Sequence, residues 1–497
     1  MRCSILPCLI LLLAALPARA ASSPSLAGKR PNIILVMTDD QGYADLECHG
    51  NPVLKTPHLN RLHRESTRFR EFHVSPTCAP TRSALLTGRH EFFNGVTHTI
   101  QERERLTLQA ITLPEILRGT GYTTGIFGKW HLGDEDAYQP GKRGFDEAYI
   151  HGAGGIGQSF PGSCGDAPGN RYFDPVVRHN GRFVKTRGYC TDLFFSQARR
   201  WISEVKDADK PFFVFLTPNA PHDPLDCPPG SAEPYRGKVP EKVAKFYGMI
   251  ANIDHNMGTL LDDLARWNLD RNTLVIFMTD NGSATGSGVH NAGMRGAKGT
   301  PFRGGTRVPS FWRWKSVLGE GRDVEPLTCH WDVLPTLAEL AGATLSDKAR
   351  RQVQGRSLLP LLQDPRATWS NRLFVTHVGR WPTGKAAQHA RHNACIRDER
   401  WSLLLLPGGK RELYDLNADP GQKRDVLANH PEPARQLTEA FDDWWRRVSP
   451  ELVNEDARGP RINPFKEAYW RQYRGPGPNN VAPPADFAFD PAPGGGS

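Results

Sequence analysis

The stretch "PNIILVMTDDQG", Pro31 to Gly42, is an unbroken apolar run, Ile33 to Met37, that ends on two acids, Asp39 and Asp40. A run of that length without polar alternation predicts a strand buried on both faces, as in a parallel sheet covered by helices. Three further stretches share the design. "NTLVIFMTDNGS" carries Leu274 to Met278 into Asp280 and Asn281; "YTTGIFGKWHLG" carries Ile126 and Phe127 into Lys129 and His131; "KPFFVFLTPNAPHDP" carries Phe212 to Leu216 towards His222. Helix-like stretches lie between them. "TLPEILRGTGY" starts near Thr112 and stops at Gly119, "YCTDLFFSQARRWISEVKD" starts just after Thr191, and "KVAKFYGMIANIDHNMGTLLDDLARWN" reads as one long amphipathic helix. This alternation predicts an α/β sheet with right-handed crossovers. Ligands of such sheets gather beyond the carboxyl ends of the strands. All four polar endings are therefore expected at one edge.

The chain has 497 residues, which suits one large domain and a smaller one. Its N-terminus, "MRCSILPCLILLLAALPARA", has a basic start, an apolar run too short to span a bilayer and a small-x-small end. Residues 1–20 read as a secretory signal peptide. No later segment is long and apolar enough to anchor the chain, so a soluble, secreted or periplasmic protein is expected. Removing Arg2 and Arg19 with that peptide lowers the formal charge from +9 to +7. That surplus fits a solvated surface as well as a site for anionic substrates, and nothing points to nucleic acid. Residues 21–370 are expected to form the main domain. Residues 371–448, with "ACIRDERWSLLLLPGGKRELYDLNADP" and "EPARQLTEAFDDWWRRV", read as short antiparallel strands and a final helix. Residues 449–497 read as a Pro- and Gly-rich extended tail.

Seven cysteines follow the signal peptide: Cys48, Cys78, Cys164, Cys190, Cys227, Cys329 and Cys395. An odd number in an oxidising compartment predicts one unpaired thiol. Setting Cys78 aside leaves six and fifteen pairings, with Cys164 to Cys190 a candidate staple. No CxxC pair or Cys/His cluster points to zinc.

Asp39, Asp40, Asp280 and Asn281 supply oxygen ligands only. Adjacent acids at a buried strand end repel, and a hard divalent cation removes that cost. Calcium tolerates a crowded, irregular oxygen shell, while magnesium keeps more water, so calcium is favoured. Alone, Asp40-Gln41-Gly42 or Asn281-Gly282 reads as a turn. The matched pair of strand endings favours metal binding. Asn281-Gly282-Ser283 also matches a glycosylation acceptor, a reading that competes with its use as a ligand.

The stretch "CAPTR", Cys78 to Arg82, followed by "LLTGR", resembles the signature of type I sulfatases, the formylglycine-dependent, arylsulfatase-like members of the alkaline phosphatase superfamily. "GKWHLG" (Gly128 to Gly133), "PHDP" (Pro221 to Pro224), "TDNG" (Thr279 to Gly282), "RGAKG" (Arg295 to Gly299) and "ELYDLNADP" (Glu412 to Pro420) match further motifs in family order. The resemblance implies an alkaline-phosphatase-like α/β fold: a large mixed sheet between helices, with a smaller C-terminal antiparallel sheet and helix. It implies that Cys78 is oxidised to formylglycine by a formylglycine-generating enzyme. It also implies that Asp39, Asp40, Asp280 and Asn281 bind calcium beside residue 78. Arg82, Lys129, His131, His222 and Lys298 carry over to sulfate binding and proton transfer.

The residue types suit that chemistry. A hydrated aldehyde offers one hydroxyl to attack sulfur and a second whose collapse expels sulfate, an exit that a thiol lacks. Arg82 steadies the nucleophile and the metal carboxylates, while Lys129 and Lys298 offset charge on the transferred group. His222, with Lys298, is expected to protonate the leaving oxygen, and His131 to take the proton that releases sulfate. One departure is Arg303-Gly304-Gly305, where the family often has Glu-Gly-Gly. That arginine is expected to add charge near the entrance or to point to water. No further polar site residue can be assigned within "HGAGGIGQSFPGS".

Hydrolysis of a sulfate monoester, on a sulfated carbohydrate, is the leading expectation. A phosphonate or phosphodiester hydrolase and a non-catalytic sulfated-glycan-binding protein are the alternatives. Phe160, Tyr172, Phe173 and Trp381 are candidate sugar contacts, although such aromatics also serve packing.

Overall fold

In a computed structural model, which describes residues 25–474, the four apolar runs become neighbouring parallel strands. Asn32–Thr38 lies between Phe212–Thr217 and Thr273–Thr279, and Thr123–Lys129 follows beyond Phe212–Thr217. Ile33 faces Leu274 and Thr38 faces Thr279, so the two acid-bearing ends finish level. The absence of alternation in the runs has a direct cause. Ile33, Leu35 and Met37 enter one core with Phe213, Phe215, Leu274 and Ile276. Ile34 and Val36 enter the other, with Val214, Leu216, Val275 and Phe277. Both faces of the sheet are thus apolar, and truncating one such side chain to alanine costs about 2–5 kcal/mol.

Among the described residues, this sheet has ten strands. Glu147–His151 extends the parallel part beside Thr123–Lys129, and Val176–His179 and Arg182–Lys185 close that edge antiparallel. On the other side Ser310–Arg313 runs antiparallel to Thr273–Thr279, followed by Thr67–Phe69 and Arg322–Val324. Helices Cys78–Thr87, Leu113–Gly119 and Val333–Leu340 cover one face; Cys190–Val205 and the 26-residue Glu241–Arg266 cover the other. A separate antiparallel sheet, Phe374–His377, Ala394–Arg397, Trp401–Leu405 and Arg411–Asp415, packs its apolar side on helix Pro431–Val448. The architecture is the large mixed sheet with helices and small C-terminal sheet that the sequence reading expects.

Several expectations need correction. The helix expected just after Thr191 already begins at Cys190. Helix Pro431–Val448 is not the last: Pro464–Tyr473 is helical within the stretch read as an extended tail. Pro464 opens that helix, the Asn463 side chain accepts from the Lys466 N–H at 3.1 Å, and Phe465 and Tyr469 pack on the Phe183 ring. All seven cysteines are free thiols. Cys164 donates to the Thr99 carbonyl at 3.4 Å and Cys190 to Asn219 Oδ1 at 3.3 Å, so the two sit in different surroundings and form no staple. Arg303 neither faces water nor adds net charge at an entrance. It is buried, pairs with Glu71 and donates to the Pro420 carbonyl at 2.8 Å. The expected signal peptide and the last 23 positions, 475–497, lie outside the described residues. Among the described residues, no helix is long and apolar enough to cross a membrane.

Candidate active site

The candidate metal ligands and catalytic residues named from the sequence gather at the carboxyl edge of the parallel strands. Asp39 and Asp280 each follow the last residue of their strand and are fully buried. The Asp280 N–H donates to the Thr38 carbonyl at 3.1 Å, which holds the two ends together. Asp40 takes a left-handed backbone, φ 67°, which turns the chain so that its N–H meets Asp280 Oδ1 at 3.3 Å. Asn281 Nδ2 donates to Asp40 Oδ1 at 2.9 Å. Such backbone strain in a residue with a Cβ persists where the surroundings over-determine it.

Cys78 is the first residue of helix Cys78–Thr87, after Thr77. The helix has no amphipathic pattern because it is buried all round. One turn on, Arg82 points the same way as Cys78. Its guanidinium donates twice to Asp280 Oδ2, at 3.1 and 2.8 Å, and once to the Lys129 carbonyl at 3.0 Å. The Cys78 sulfur and carboxylate oxygens of Asp39 and Asp280 all lie within 4.8 Å of one another. Lys129 ends its strand with its ammonium 2.6 Å from Asp39, both side chains buried. Lys298 reaches Asp40 at 2.6 Å. Its loop is tied to the nucleophile turn, since the Gly299 N–H donates to the Pro76 carbonyl at 2.8 Å.

Burial, opposed mainly by Lys129, raises the Asp39 carboxyl. Burial and then the Asp39 charge raise Asp280 to about 6, with Arg82 opposing. Asp40 goes the other way: burial is overcome by Lys298, His222 and Lys129, which hold it well below the usual carboxylate range. Two carboxyls that resist ionisation in a dry site mark a deficit of positive charge that a divalent cation would remove. The oxygens fit one. Asp39 Oδ1 and Asn281 Oδ1 are buried without a hydrogen-bond partner. Asp39, Asp280, Asp40 and Asn281 together make the hard, all-oxygen donor set that calcium takes.

The two histidines are held differently from each other. His131, also left-handed at φ 59°, donates through Nε2 to the Thr99 carbonyl at 2.8 Å, which leaves buried Nδ1 bare. Burial, then Lys129, holds its ring well below the ordinary histidine value. His222 donates through Nδ1 to the Asp223 carbonyl at 2.7 Å, and its Nε2 lies 3.7 Å from Asp40 Oδ2. Burial and Lys298 lower it to about 4. Both rings are therefore neutral at pH 7, each with one acceptor nitrogen turned from its carbonyl anchor.

Three functional features escape the sequence reading. A Cβ built on Gly154 would lie 2.6 Å from His131 Cε1, and one on Gly155 would lie 2.8 Å from His222 Cε1 and Nδ1. The two glycines of "HGAGGIG" thus press directly on the two rings, and no motif marks them. Arg380 comes from the segment after strand Phe374–His377. Its backbone, φ 58°, hangs on the Thr97 carbonyl at 3.0 Å, and Nη2 donates to Thr99 Oγ1 at 3.2 Å. Half-buried there, it interacts electrostatically with Cys78 and Asp40. Nothing in "VGRWPTG" would have assigned it. Of the candidate aromatics, Tyr172 and Trp381 are packed: Tyr172 donates to the Asn219 and His222 carbonyls at 3.0 and 2.7 Å, and Trp381 to Glu455 at 2.8 Å.

The chain matches the family model described as "Sulfatase" over residues 31–343 and the model described as "N-sulphoglucosamine sulphohydrolase, C-terminal" over 300–443. It is 32% identical over 373 residues to N-acetylgalactosamine-6-sulfatase of Canis lupus familiaris, covering 71% of this chain and 69% of that protein. It is 31% identical over 432 residues to arylsulfatase A of Homo sapiens, covering 80% and 83%. Among solved structures, Ps i-CgsB in complex with k-i-k-neocarrahexaose superposes with a TM-score of 0.76 at 26% identity, covering 90% of this chain and 98% of that one.

Proposed function

The chain belongs to the sulfatase family and is a sulfuric ester hydrolase, and from that premise we propose that it removes sulfate from a sulfated carbohydrate with a nucleophile made from Cys78. The observation that carries this reading is the Cys78 sulfur packed against the Asp39 and Asp280 carboxylates, with Arg82 from the same helix paired to Asp280. An exported protein fits this role and accords with the N-terminal sequence. The carbohydrate class follows a relative named N-acetylgalactosamine-6-sulfatase and a structural neighbour solved in complex with k-i-k-neocarrahexaose.

Asp39, Asp40, Asp280 and Asn281 would hold calcium, which would supply positive charge beside residue 78. Formylglycine at residue 78 supplies, once hydrated, both a hydroxyl nucleophile and a route for sulfate to leave. The remaining work falls to the chain's own groups. Arg82 fixes the turn that carries residue 78 relative to Asp280, so the attacking atom is positioned before substrate arrives. Lys129 and Lys298 place two ammonium groups around the transferred group; Asp40 keeps Lys298 protonated against burial. His131, bare at Nδ1, is built to accept a proton. His222 rests neutral, with Lys298 opposing its protonation. An arriving anion between the two lysines offsets that opposition, so His222 gains the proton that it then gives to the leaving oxygen.

The test is turnover of matched aryl sulfate, phosphate and phosphonate esters by the purified protein and by Cys78→Ala. Release of sulfate in strong preference to phosphate, lost in Cys78→Ala, is expected. Preference for a phosphorus ester would move the protein to the related phosphoester chemistry. Saccharide binding without turnover, by a protein with an intact thiol at 78, would make it a glycan-binding protein.

A further inference from the structure

We propose that Cys48, His49 and His63 form a second metal site, separate from the catalytic one, and that it takes zinc. Residues 48, 49 and 63 match no zinc-binding spacing in the sequence; the fold brings them together. The Cys48 sulfur and one ring nitrogen of each histidine lie within 4.8 Å of one another. Among the described residues, this is the only such group outside the active site. One thiol and two imidazoles are ligands that zinc takes, with water completing a tetrahedral shell. All three residues are half-buried, so an ion can reach them from solvent.

The rings are already set for it. With Zn–N bonds of about 2.0–2.1 Å in a tetrahedron, two imidazole centres on one ion lie about 5 Å apart. The His49 and His63 ring centroids are 5.6 Å apart at 81°. The edge or face of Phe311 meets both rings, with centroids at 5.4 and 5.1 Å, and His49 stacks on Tyr43 at 3.8 Å. His49 Nδ1 donates to the Tyr43 carbonyl at 2.6 Å, which leaves the lone pair on Nε2. A carbonyl on the far ring nitrogen is the usual support of a metal-ligating histidine. The two segments are also tied together, since Asn60, on the helix of His63, donates to Glu47 at 2.8 Å.

A second observation points to a ligand. His63 Nε2 is buried without a hydrogen-bond partner among the described residues. Leaving such a nitrogen unpaired is costly. Arg68 Nη1 lies 3.3 Å from Nδ1, and arginine only donates, so without an ion the ring proton sits on the orphaned Nε2. Zinc binding moves that proton to Nδ1 and gives Nε2 a partner. Arg68 then turns from the ring and keeps Asp323 Oδ1 at 2.6 Å and the Gly321 carbonyl at 2.7 Å. The Cys48 thiol proton leaves to water as the sulfur–zinc bond forms. The Tyr43 carbonyl that holds His49 belongs to the loop that leaves Asp39 and Asp40, so zinc there steadies the segment behind two of the catalytic-site acids.

The test titrates the whole purified protein, kept in excess calcium, with zinc and with cobalt(II) as a coloured stand-in for it. The wild type is expected to bind one zinc per chain, and cobalt to give a thiolate-to-metal charge-transfer band. That band should survive in Cys78→Ser and disappear in Cys48→Ser. Zinc binding should weaken at least about tenfold to hundredfold in Cys48→Ser and in His63→Gln, since even the outer-shell partners of a metal ligand cost that much. Zinc should raise the melting temperature of the wild type and leave that of Cys48→Ser unchanged. A band that persists in Cys48→Ser, or is lost in Cys78→Ser, puts the ion elsewhere and overturns the proposal. The absence of a thiolate band in the wild type overturns it too. If Cys48→Ser proves unstable, His63→Gln decides by itself, and wild-type zinc affinity there rejects the site.

Discussion

Gly155→Ala tests whether the glycines over the histidines are part of the machinery. The new Cβ would sit 2.8 Å from His222 Cε1 and Nδ1 and 2.9 Å from Gln158 Cδ. Non-bonded carbons rest at about 3.5–4.0 Å, so the ring or the loop must yield by roughly 1 Å. The ring cannot turn freely, because Nδ1 is committed to the Asp223 carbonyl at 2.7 Å. A displacement of that size at a proton-transfer group costs about a hundredfold in rate, and overpacking costs about 1–3 kcal/mol of stability. The expected result is a loss of about a hundredfold in kcat/KM on an aryl sulfate, in a protein that still unfolds cooperatively. Gly141→Ala, where an added Cβ meets nothing within 4 Å, is the control and should retain its activity. Wild-type kcat/KM in Gly155→Ala would refute the reasoning, because His222 would then be either out of the reaction or free to move.

Chelation should lower the melting temperature and calcium restore it, since the Asp39 and Asp280 carboxyls resist ionisation without an added cation. Lys129→Met strands a buried carboxylate at a cost of about 3–5 kcal/mol, and the loss should be larger in chelator than in calcium. Equal losses would argue that no cation shares Asp39. Burial raises Glu104 to about 8, so the folded state keeps a proton that the unfolded chain releases near the ordinary glutamate value of 4.5. The stability from that proton is fully present below the unfolded value and is lost as pH rises through about 8. Urea melts of Glu104→Gln at pH 5 and pH 8 should show a flatter pH dependence than wild type, and identical slopes would reject the assignment. Arg303→Glu, which puts the acid common in this family where Arg303 meets Glu71, should destabilise by about 3–5 kcal/mol, because a buried acid then faces the half-buried Glu71. An unchanged melting curve would mean that the pair contributes nothing.

The main sheet and most of the site were legible because each relevant segment carries its signal locally. Ile33 to Met37 and Leu274 to Met278 announce two-sided burial, and the polar residues at their ends must lie where the strands end. What stayed hidden depends on contacts between distant segments. Arg380 reaches the site because a turn in the C-terminal part lies against the Thr97 carbonyl, a meeting that no local pattern encodes. Gly154 and Gly155 matter for what their missing side chains admit, so composition reads them only as loop. Arg303 is expected from the sequence to add charge near the entrance or to point to water, because its partner, Glu71, lies 232 positions away. The helix Pro464–Tyr473 lay between Pro- and Gly-rich stretches whose composition outweighed its own apolar spacing. The arithmetic of an oxidising compartment leaves fifteen pairings open with Cys164 to Cys190 as a candidate, whereas those two thiols have separate hydrogen-bond partners.

The most direct measurement is a peptide mass spectrum across residues 75–90 of protein that turns over an aryl sulfate, with activity followed as the modified fraction varies. The account predicts that position 78 loses one sulfur and two hydrogens and gains one oxygen, and that kcat rises in proportion to that fraction. Full turnover with an unmodified thiol at Cys78 would contradict it.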